Sequence, residues 1–240
     1  MQLFPVKLQS VRPADEPGKD ISLFGLGEDG FDYAVKTQSD HIKLPASEYF
    51  CYRLAAACRI AVPAHAILRL PNSDEEAFGS RLEGGLSPIH NDTHLDVLAR
   101  IKSCSGTMSG IFAMDLFVGN EDRHFGNFLY RTNKSNELAC MPIDYSRAWM
   151  VGGWPPRVIG PTACTTKTQM EILRAAKLWH SSQALTVLSI INGIQTLVVD
   201  RWLEEMPAAW LLPNDRAVLH QWWQSEDFHQ RISNCIEFCK

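Results

Sequence analysis

The sequence has few of the features that mark membrane, secreted or nucleic-acid-binding proteins. No apolar run approaches the roughly 20 residues that a membrane-spanning helix needs. The first residues have neither the apolar stretch nor the small-residue cleavage site of a secretory signal, so we expect no leader peptide. The chain has 23 Lys and Arg against 27 Asp and Glu, a net charge of −4. A mildly acidic chain has no general attraction for nucleic acid or an anionic membrane, and we expect neither as a partner.

Paired cysteine motifs are also absent. The seven cysteines are odd in number and form no CxxC pair, which argues against a disulfide scaffold and a zinc ribbon. They favour a reducing compartment, and we expect a cytoplasmic protein. His90 and His94 are four residues apart beside Asp92 and Asp96, but no third metal ligand has suitable spacing, so we interpret them as a polar helix start.

What is present indicates a compact α+β chain. Its 240 residues are 45% hydrophobic and 21% charged, an ordinary globular balance. Residues 12–20 are polar, contain two prolines and predict a loop. Strands are predicted at 21–24, 31–35, 66–70, 128–131 and 139–143 and in AFGSRLEGG, and helices at 47–60 with Ser47 as cap, 95–101, 108–118 and, with breaks near Pro207 and Pro213, from 168 onward. The pattern predicts a small strand-rich N-lobe, residues 1–84, and a larger helical C-lobe, residues 85–240.

The densest polar cluster is GNEDRHFGN, residues 119–127, between a predicted helix and a predicted strand. Asp122 and Asn127 are five residues apart, the interval between the catalytic Asp and the metal-binding Asn of kinase catalytic loops. Asp144 follows at the end of the next strand, so all three side chains lie at the ends of elements that can pair as a hairpin. Carboxylate and amide oxygens suit Mg²⁺ bound with substrate phosphates, and one carboxylate is left to deprotonate a hydroxyl.

A second set of residues lies upstream. Gly25, Gly27 and Gly30 match G-x-G-x-x-G but precede a strand, which fits a hairpin turn covering phosphates better than a dinucleotide fold. The strand contains YAVK, close to the V-A-I-K pattern whose lysine contacts nucleotide phosphates, and Lys36 is that lysine. Twelve residues later, Glu48 falls in the first turn of a predicted helix, where it can pair with Lys36. The order of these parts is typical of phosphoryl transfer.

On these motifs the chain resembles the HipA-like kinases, bacterial relatives of the phosphatidylinositol 3/4-kinase-like branch of the kinase superfamily. The stretches that carry the resemblance are YAVK, the helix with Glu48, FGSRLEGG, FAMDLFVGNEDRHFGN and PIDYSRAW. The Asp-Arg-His order at 122–124 is the one that this branch has. The resemblance implies a bilobal protein-kinase-like fold.

The resemblance also implies a role for each matching residue. Lys36 would contact the ATP phosphates, with Glu48 pairing to it, and the backbone of Ser80, Arg81 and Leu82 would face adenine. Asp122 would be the catalytic carboxylate and His124 a support of its loop. Asn127 and Asp144 would bind Mg²⁺.

The activity implied is transfer of the γ-phosphoryl of ATP to a Ser or Thr hydroxyl of a protein, as in toxin-type HipA kinases, with an antitoxin or regulatory protein as a possible partner. The residues leave two alternatives open. One is a kinase of small molecules or lipids on the same scaffold, since fold does not determine substrate. The other is a non-catalytic nucleotide-binding pseudokinase, although no key residue is missing.

Overall fold

The computed structural model describes residues 4–14, 23–82, 94–132, 138–152 and 163–240. The predicted boundary near Gly84 lies outside these residues. The described chain has a strand-rich N-terminal part and a helical C-terminal part, as the sequence predicts.

Five strands of the N-terminal part close into a small barrel. They are β1 (Val6–Pro13), β2 (Leu23–Gly27), β3 (Asp32–Lys36), β4 (His65–Arg69) and β5 (Glu76–Arg81), hydrogen-bonded in the order β1-β2-β3-β5-β4. β1 runs antiparallel to β2 and parallel to β4, which closes the ring. The loop predicted from residue 12 is wrong at Arg12 and Pro13, which belong to β1. Only Leu8 of β1 is buried, so the strand lacks the apolar pattern that would reveal it.

Glycines let the barrel close around its few apolar side chains. A Cβ on Gly79 would lie 2.3 Å from Leu68 Cδ1, and one on Gly25 would lie 2.8 Å from Leu8 Cδ1. Both positions therefore leave room for a leucine of a neighbouring strand.

Helix α1 (Leu44–Ala57) follows the barrel's third strand and begins three residues before the predicted position. Pro45 lies in its first turn, where proline's missing N–H costs nothing. Ser47 is therefore not the cap: it is buried inside the helix, and its hydroxyl donates to the carbonyl of Tyr145 at 3.2 Å. Glu48 consequently lies in the second turn, not the first.

The two predicted helical segments between 95 and 118 are one helix, α2 (His94–Val118). Gly119 ends it with φ of +68°, as the sequence predicts. A short 3₁₀ turn (Phe125–Asn127) leads into the predicted hairpin of β6 (Phe128–Thr132) and β7 (Leu138–Pro142).

The remaining described elements are helices, with the break predicted near Pro207 and Pro213 and further breaks at residues 176–180, 193–195 and 223–225, which contain no proline. They are α3 (Trp149–Gly152), α4 (Thr165–Ala175), α5 (Ser181–Asn192), α6 (Thr196–Glu205), α7 (Pro213–Trp222) and α8 (Glu226–Cys239). One apolar core extends from Phe50 of α1 to Cys239 of α8, so α1 packs with the helical part. All seven cysteines are free, and six of them are buried.

Within the described ranges, no single helix has the length and apolar composition to cross a membrane. Only α5 and α6 taken together meet those two criteria, and they meet at a bend of 81°.

Candidate active site

Three charged side chains from distant parts of the chain meet beside the barrel. Lys36 Nζ lies 3.3 Å from Asp144 Oδ1 and 3.7 Å from Glu48 Oε1. The side chains of Lys36, Glu48 and Asp144 are 6%, 1% and 18% exposed. The structure thus brings the predicted lysine, its predicted partner and the predicted metal ligand into one cluster.

Each of the three is placed by a different element. Lys36 is the last residue of β3, and Glu48 projects from α1. Asp144 follows β7 with φ of +65°, a conformation that Asp adopts more readily than most residues. The backbone N–H of Tyr145 donates to Glu48 Oε1 at 3.0 Å, and that of Ser146 donates to Asp144 Oδ1 at 3.2 Å. These bonds attach the Asp144 turn to α1.

The two carboxyls titrate differently. Burial raises the pKa of Glu48 to about 7, because Lys36 and the Tyr145 N–H offset only part of the lost hydration. Burial would also raise the pKa of Asp144, but the Lys36 ammonium and the hydrogen bonds from Ser146 outweigh it and lower that pKa. Asp144 is therefore the carboxylate that stays ionised at neutral pH.

The segment after α2 folds back on itself. The His124 ring accepts at Nδ1 from the Gly126 N–H at 3.0 Å, and the Asn127 N–H donates to the His124 carbonyl at 2.9 Å. Asn127 Nδ2 donates to the carbonyl of Asp122 at 3.2 Å. His124 thus holds the turn between Asp122 and Asn127 through two hydrogen bonds.

Asn127 and Asp144 offer oxygen atoms suited to a hard cation. The Ile143 N–H donates to the Asn127 carbonyl at 3.1 Å, so both predicted ligands lie at the same end of the β6–β7 hairpin. Asn127 Nδ2 donates to the Asp122 carbonyl, so the side-chain oxygen of Asn127 is the atom that can bind a metal. Mg²⁺ is usually held by one or two protein ligands together with phosphate oxygens and water, and these two residues fit that pattern. The described residues contain no group of three His, Cys, Asp or Glu arranged for a metal, and His90 and Asp92 lie outside them.

The three predicted phosphate-covering glycines are not brought to this cluster. β2 and β3 pair with Leu23 opposite Val35 and Leu26 opposite Asp32, so the turn containing Gly30 is at the opposite end of β3 from Lys36. The ends of β3, Asp32 and Lys36, are four residue steps apart, about 13 Å. Gly25 and Gly27 lie in β2, where a Cβ would meet Leu8 or Val6. Gly25 and Gly27 thus allow close packing, which the G-x-G-x-x-G pattern alone does not distinguish from phosphate binding.

Of the predicted adenine-facing residues, Ser80 and Arg81 end β5 and Leu82 follows it. Ser80 Oγ shares a hydrogen bond with Tyr52 OH at 2.9 Å, and the Arg81 guanidinium lies 3.2 Å from the centroid of the Phe31 ring. The N–H groups of Arg81 and Leu82 donate to the carbonyls of Ala64 and Asp32, both at 2.8 Å. The N–H groups of Arg81 and Leu82 are therefore already used within the barrel.

Sequence reasoning gave no role to Arg123, which the structure places at the centre of the loop. Its Nε and Nη2 donate to Asp115 Oδ2 and Oδ1 at 2.8 and 3.1 Å, and both side chains are completely buried. Burial alone would lower the pKa of Arg123, but Asp115 reverses this and raises it. The signal that could have revealed the pair was an acidic residue on the apolar face of α2, eight residues before an arginine.

No family model matches the chain, and no curated protein is similar to it in sequence. Solved structures do resemble it. The Helicobacter pylori proinflammatory kinase CtkA is 14% identical, with a TM-score of 0.61 over 98% of each chain. A chain of the Shewanella oneidensis HipA–HipB–operator DNA complex is 12% identical, with a TM-score of 0.49 over 100% of this chain and 64% of that one. The chain therefore shares the fold of the kinase CtkA, in agreement with the kinase-like fold expected from its sequence.

Proposed function

We propose that the protein is an ATP- and Mg²⁺-dependent kinase that transfers the γ-phosphoryl of ATP to a Ser or Thr hydroxyl of a protein. The observation that carries the proposal is the buried cluster of Lys36, Glu48 and Asp144, whose members come from three elements and are up to 108 residues apart. A lysine held by two carboxyls, one of them a metal-type ligand, is the arrangement that binds a nucleotide triphosphate in kinases.

The barrel also offers a place for the rest of the nucleotide. Lys36 lies opposite Phe78 on β5, and Arg81 is three residues further along that strand. This spacing is about 10 Å. A nucleotide lying along β5 would have its phosphates at Lys36 and its base at the carbonyl groups of Arg81 and Leu82.

Each residue of the site has a separate role in the proposed reaction. Asp144 and Asn127 would hold Mg²⁺, which neutralises charge on the phosphate oxygens during transfer. Lys36 orients the phosphates, and Glu48 limits the movement of its ammonium. Asp122, half-buried on the loop beside Asn127, accepts the proton of the attacking hydroxyl.

The test is phosphoryl transfer from labelled ATP to proteins of a cell lysate, measured for the wild type and for Asp122→Asn. We expect Asp122→Asn to lose about 10²–10⁴-fold in turnover while nucleotide affinity changes little, because a general base contributes about that much. Lys36→Met and Asp144→Asn should weaken binding of the nucleotide and its metal as well.

Lys43 and Asp215 supply the matched controls. They form a partly exposed ion pair with Nζ and Oδ1 2.8 Å apart, and neither contacts the Lys36 cluster. Lys43→Met and Asp215→Asn should retain transfer. Full activity of Asp122→Asn would contradict the proposal. Label found only in small molecules would assign a different acceptor, and nucleotide binding without any transfer would indicate a pseudokinase.

A further inference from the structure

Burying the charged Arg123–Asp115 pair costs free energy of desolvation. Both side chains have no exposed surface, and removing two charges from water costs more than most such pairs regain. Apolar residues of similar volume often stabilise a protein as well or better. Stability alone therefore does not explain the pair, and its remaining contacts suggest another role.

The third guanidinium nitrogen, Nη1, contacts the main chain at one predicted metal-binding residue, Asn127, and at the neighbour of the other, Asp144. It donates to the carbonyl of Asn127 at 3.1 Å and to the carbonyl of Ile143, the residue before Asp144. One rigid group thus holds the main chain at both ligands. A lysine could not do this, because its single nitrogen cannot contact Asp115 and both carbonyls with the fixed geometry of the guanidinium fork.

The rest of the loop is fixed to the same frame. Asn120 Nδ2 donates to Asp115 Oδ1 at 2.8 Å. Thr166 Oγ1 accepts from the Arg123 N–H at 2.9 Å and donates to the Asn120 carbonyl at 2.5 Å. The guanidinium carbon of Arg123 is 4.7 Å from the centroid of the Tyr145 ring. The guanidinium of Arg123 is therefore held by α2 and its main chain by α4, both outside the loop.

We propose that Arg123, held by Asp115, is a positioning residue that sets the separation of Asn127 and Asp144 and so determines how tightly the site binds its divalent cation. The inference rests on the proposed kinase function. The Arg123 guanidinium donates to Asp115 and to the main-chain carbonyls of Asn127 and Ile143, and its effect passes through those carbonyls.

Arg231 provides the control. If Arg123 had a purely structural role, substituting either buried arginine would have the same effect. Arg231 is also buried, and its guanidinium donates to the carbonyls of Leu116 and Phe117 near the end of the same helix. Arg231→Lys perturbs a buried arginine with carbonyl partners on α2 but leaves the hairpin carbonyls untouched.

The experiment measures Mn²⁺ binding by electron paramagnetic resonance in the presence of a non-hydrolysable ATP analogue. It compares the wild type with Arg123→Lys, Asp115→Asn and Arg231→Lys. We expect Arg123→Lys and Asp115→Asn to lower Mn²⁺ affinity about 10–100-fold, the usual effect of removing a group that orients metal ligands. Affinity for the analogue without metal should change little, and Arg231→Lys should bind Mn²⁺ like the wild type.

Wild-type Mn²⁺ affinity in folded Arg123→Lys, or an equal loss in Arg231→Lys, would overturn the inference. If Arg123→Lys does not fold, Asp115→Asn decides, since it changes one oxygen to nitrogen at constant size. A wild-type protein that binds neither analogue nor Mn²⁺ would instead overturn the proposed function and the inference with it. A wild type that binds both, with variants that match it, would remove the inference alone.

Discussion

Asp144 and Glu48 illustrate how the site depends on the surroundings of single residues. Asp144 adopts a left-handed backbone conformation, which a glycine would adopt at lower cost but without the carboxylate. Glu48 is buried, and its pKa is raised to about 7 by loss of hydration. Both residues are held where their local preferences are not met, a situation that the surrounding packing must stabilise.

Glu48 makes stability depend on pH in a defined direction. Its pKa in the folded state is about 7, above the ordinary 4.5, so between these values the folded protein holds a proton that the unfolded chain has lost. This contribution is complete below pH 4.5 and is lost as the pH rises towards 7. Glutamine does not titrate, so we expect the Glu48→Gln variant to lack this pH dependence. Between pH 5 and 8 the free energy of unfolding of the wild type should fall by about 1–3 kcal/mol relative to that of the variant.

The measurement is denaturant unfolding of both proteins at several pH values. Gln retains an oxygen that can accept from the Tyr145 N–H, so the hydrogen bond at 3.0 Å is preserved. Exposed Glu75→Gln is the control and should follow the wild-type curve. Parallel curves for the wild type and Glu48→Gln would show that Glu48 does not titrate in this range.

At the scale of elements, α2 connects the loop at residues 119–127 to the helical part by packing closely against α5. Two glycines one turn apart, Gly106 and Gly110, face that helix. A Cβ on Gly110 would lie 2.9 Å from Val187 Cγ2, whereas one on Gly106 would lie 3.7 Å from Gln183 Cγ. The two positions therefore respond differently to the same substitution.

Gly106→Ala should stabilise the protein by about 0.5–1 kcal/mol, because alanine loses less conformational entropy in a helix. Gly110→Ala should destabilise it by about 1–2 kcal/mol, since Val187 is β-branched and cannot rotate away freely. Thermal unfolding of both variants would check the pair. Equal shifts in the same direction would mean that α2 and α5 are not as close at Gly110 as the structure has them.

On the scale of the whole molecule, the segment between α6 and α7 joins the helical part to the barrel. Trp210 is 1% exposed, and its indole N–H donates to the Glu76 carbonyl of β5 at 3.0 Å. Gln38 Nε2 donates to the Ala209 carbonyl at 2.9 Å. The strand whose far end would face the nucleotide base is thus held by a residue more than 130 positions later.

Trp210→Ala should cost about 3–5 kcal/mol, the usual effect of removing a buried tryptophan side chain. Trp223→Ala is the matched control. Trp223 is also buried, but its indole N–H donates to the Ile194 carbonyl at 2.8 Å, within the helical part. We expect amide hydrogen exchange in β4 and β5 to accelerate selectively in Trp210→Ala. Equal acceleration in Trp223→Ala would show that Trp210 has no special link to the barrel.

Most of the local structure could be predicted from the sequence because it depends on neighbouring residues. The β6–β7 hairpin, the end of α2 at Gly119 and the helix breaks near Pro207 and Pro213 all follow from nearby turn residues and breakers. β1 was missed because seven of its eight side chains are not buried, so burial leaves no pattern in its sequence. The cap at Ser47 was wrong because Pro45 and the packing against Tyr145 place the start of α1 earlier.

The sequence by itself determined which residue types are present in which order, including the interval from Asp122 to Asn127 and the lysine that ends β3. Only the tertiary structure decided that Lys36, Glu48 and Asp144 meet, that Arg123 holds the main chain at Asn127 and Ile143, and that Gly25 and Gly27 pack closely against neighbouring side chains. The physical reason is that spacing along the chain controls contacts over a few residues. Contacts between distant residues depend on how the barrel and the helices bury their apolar surfaces against each other.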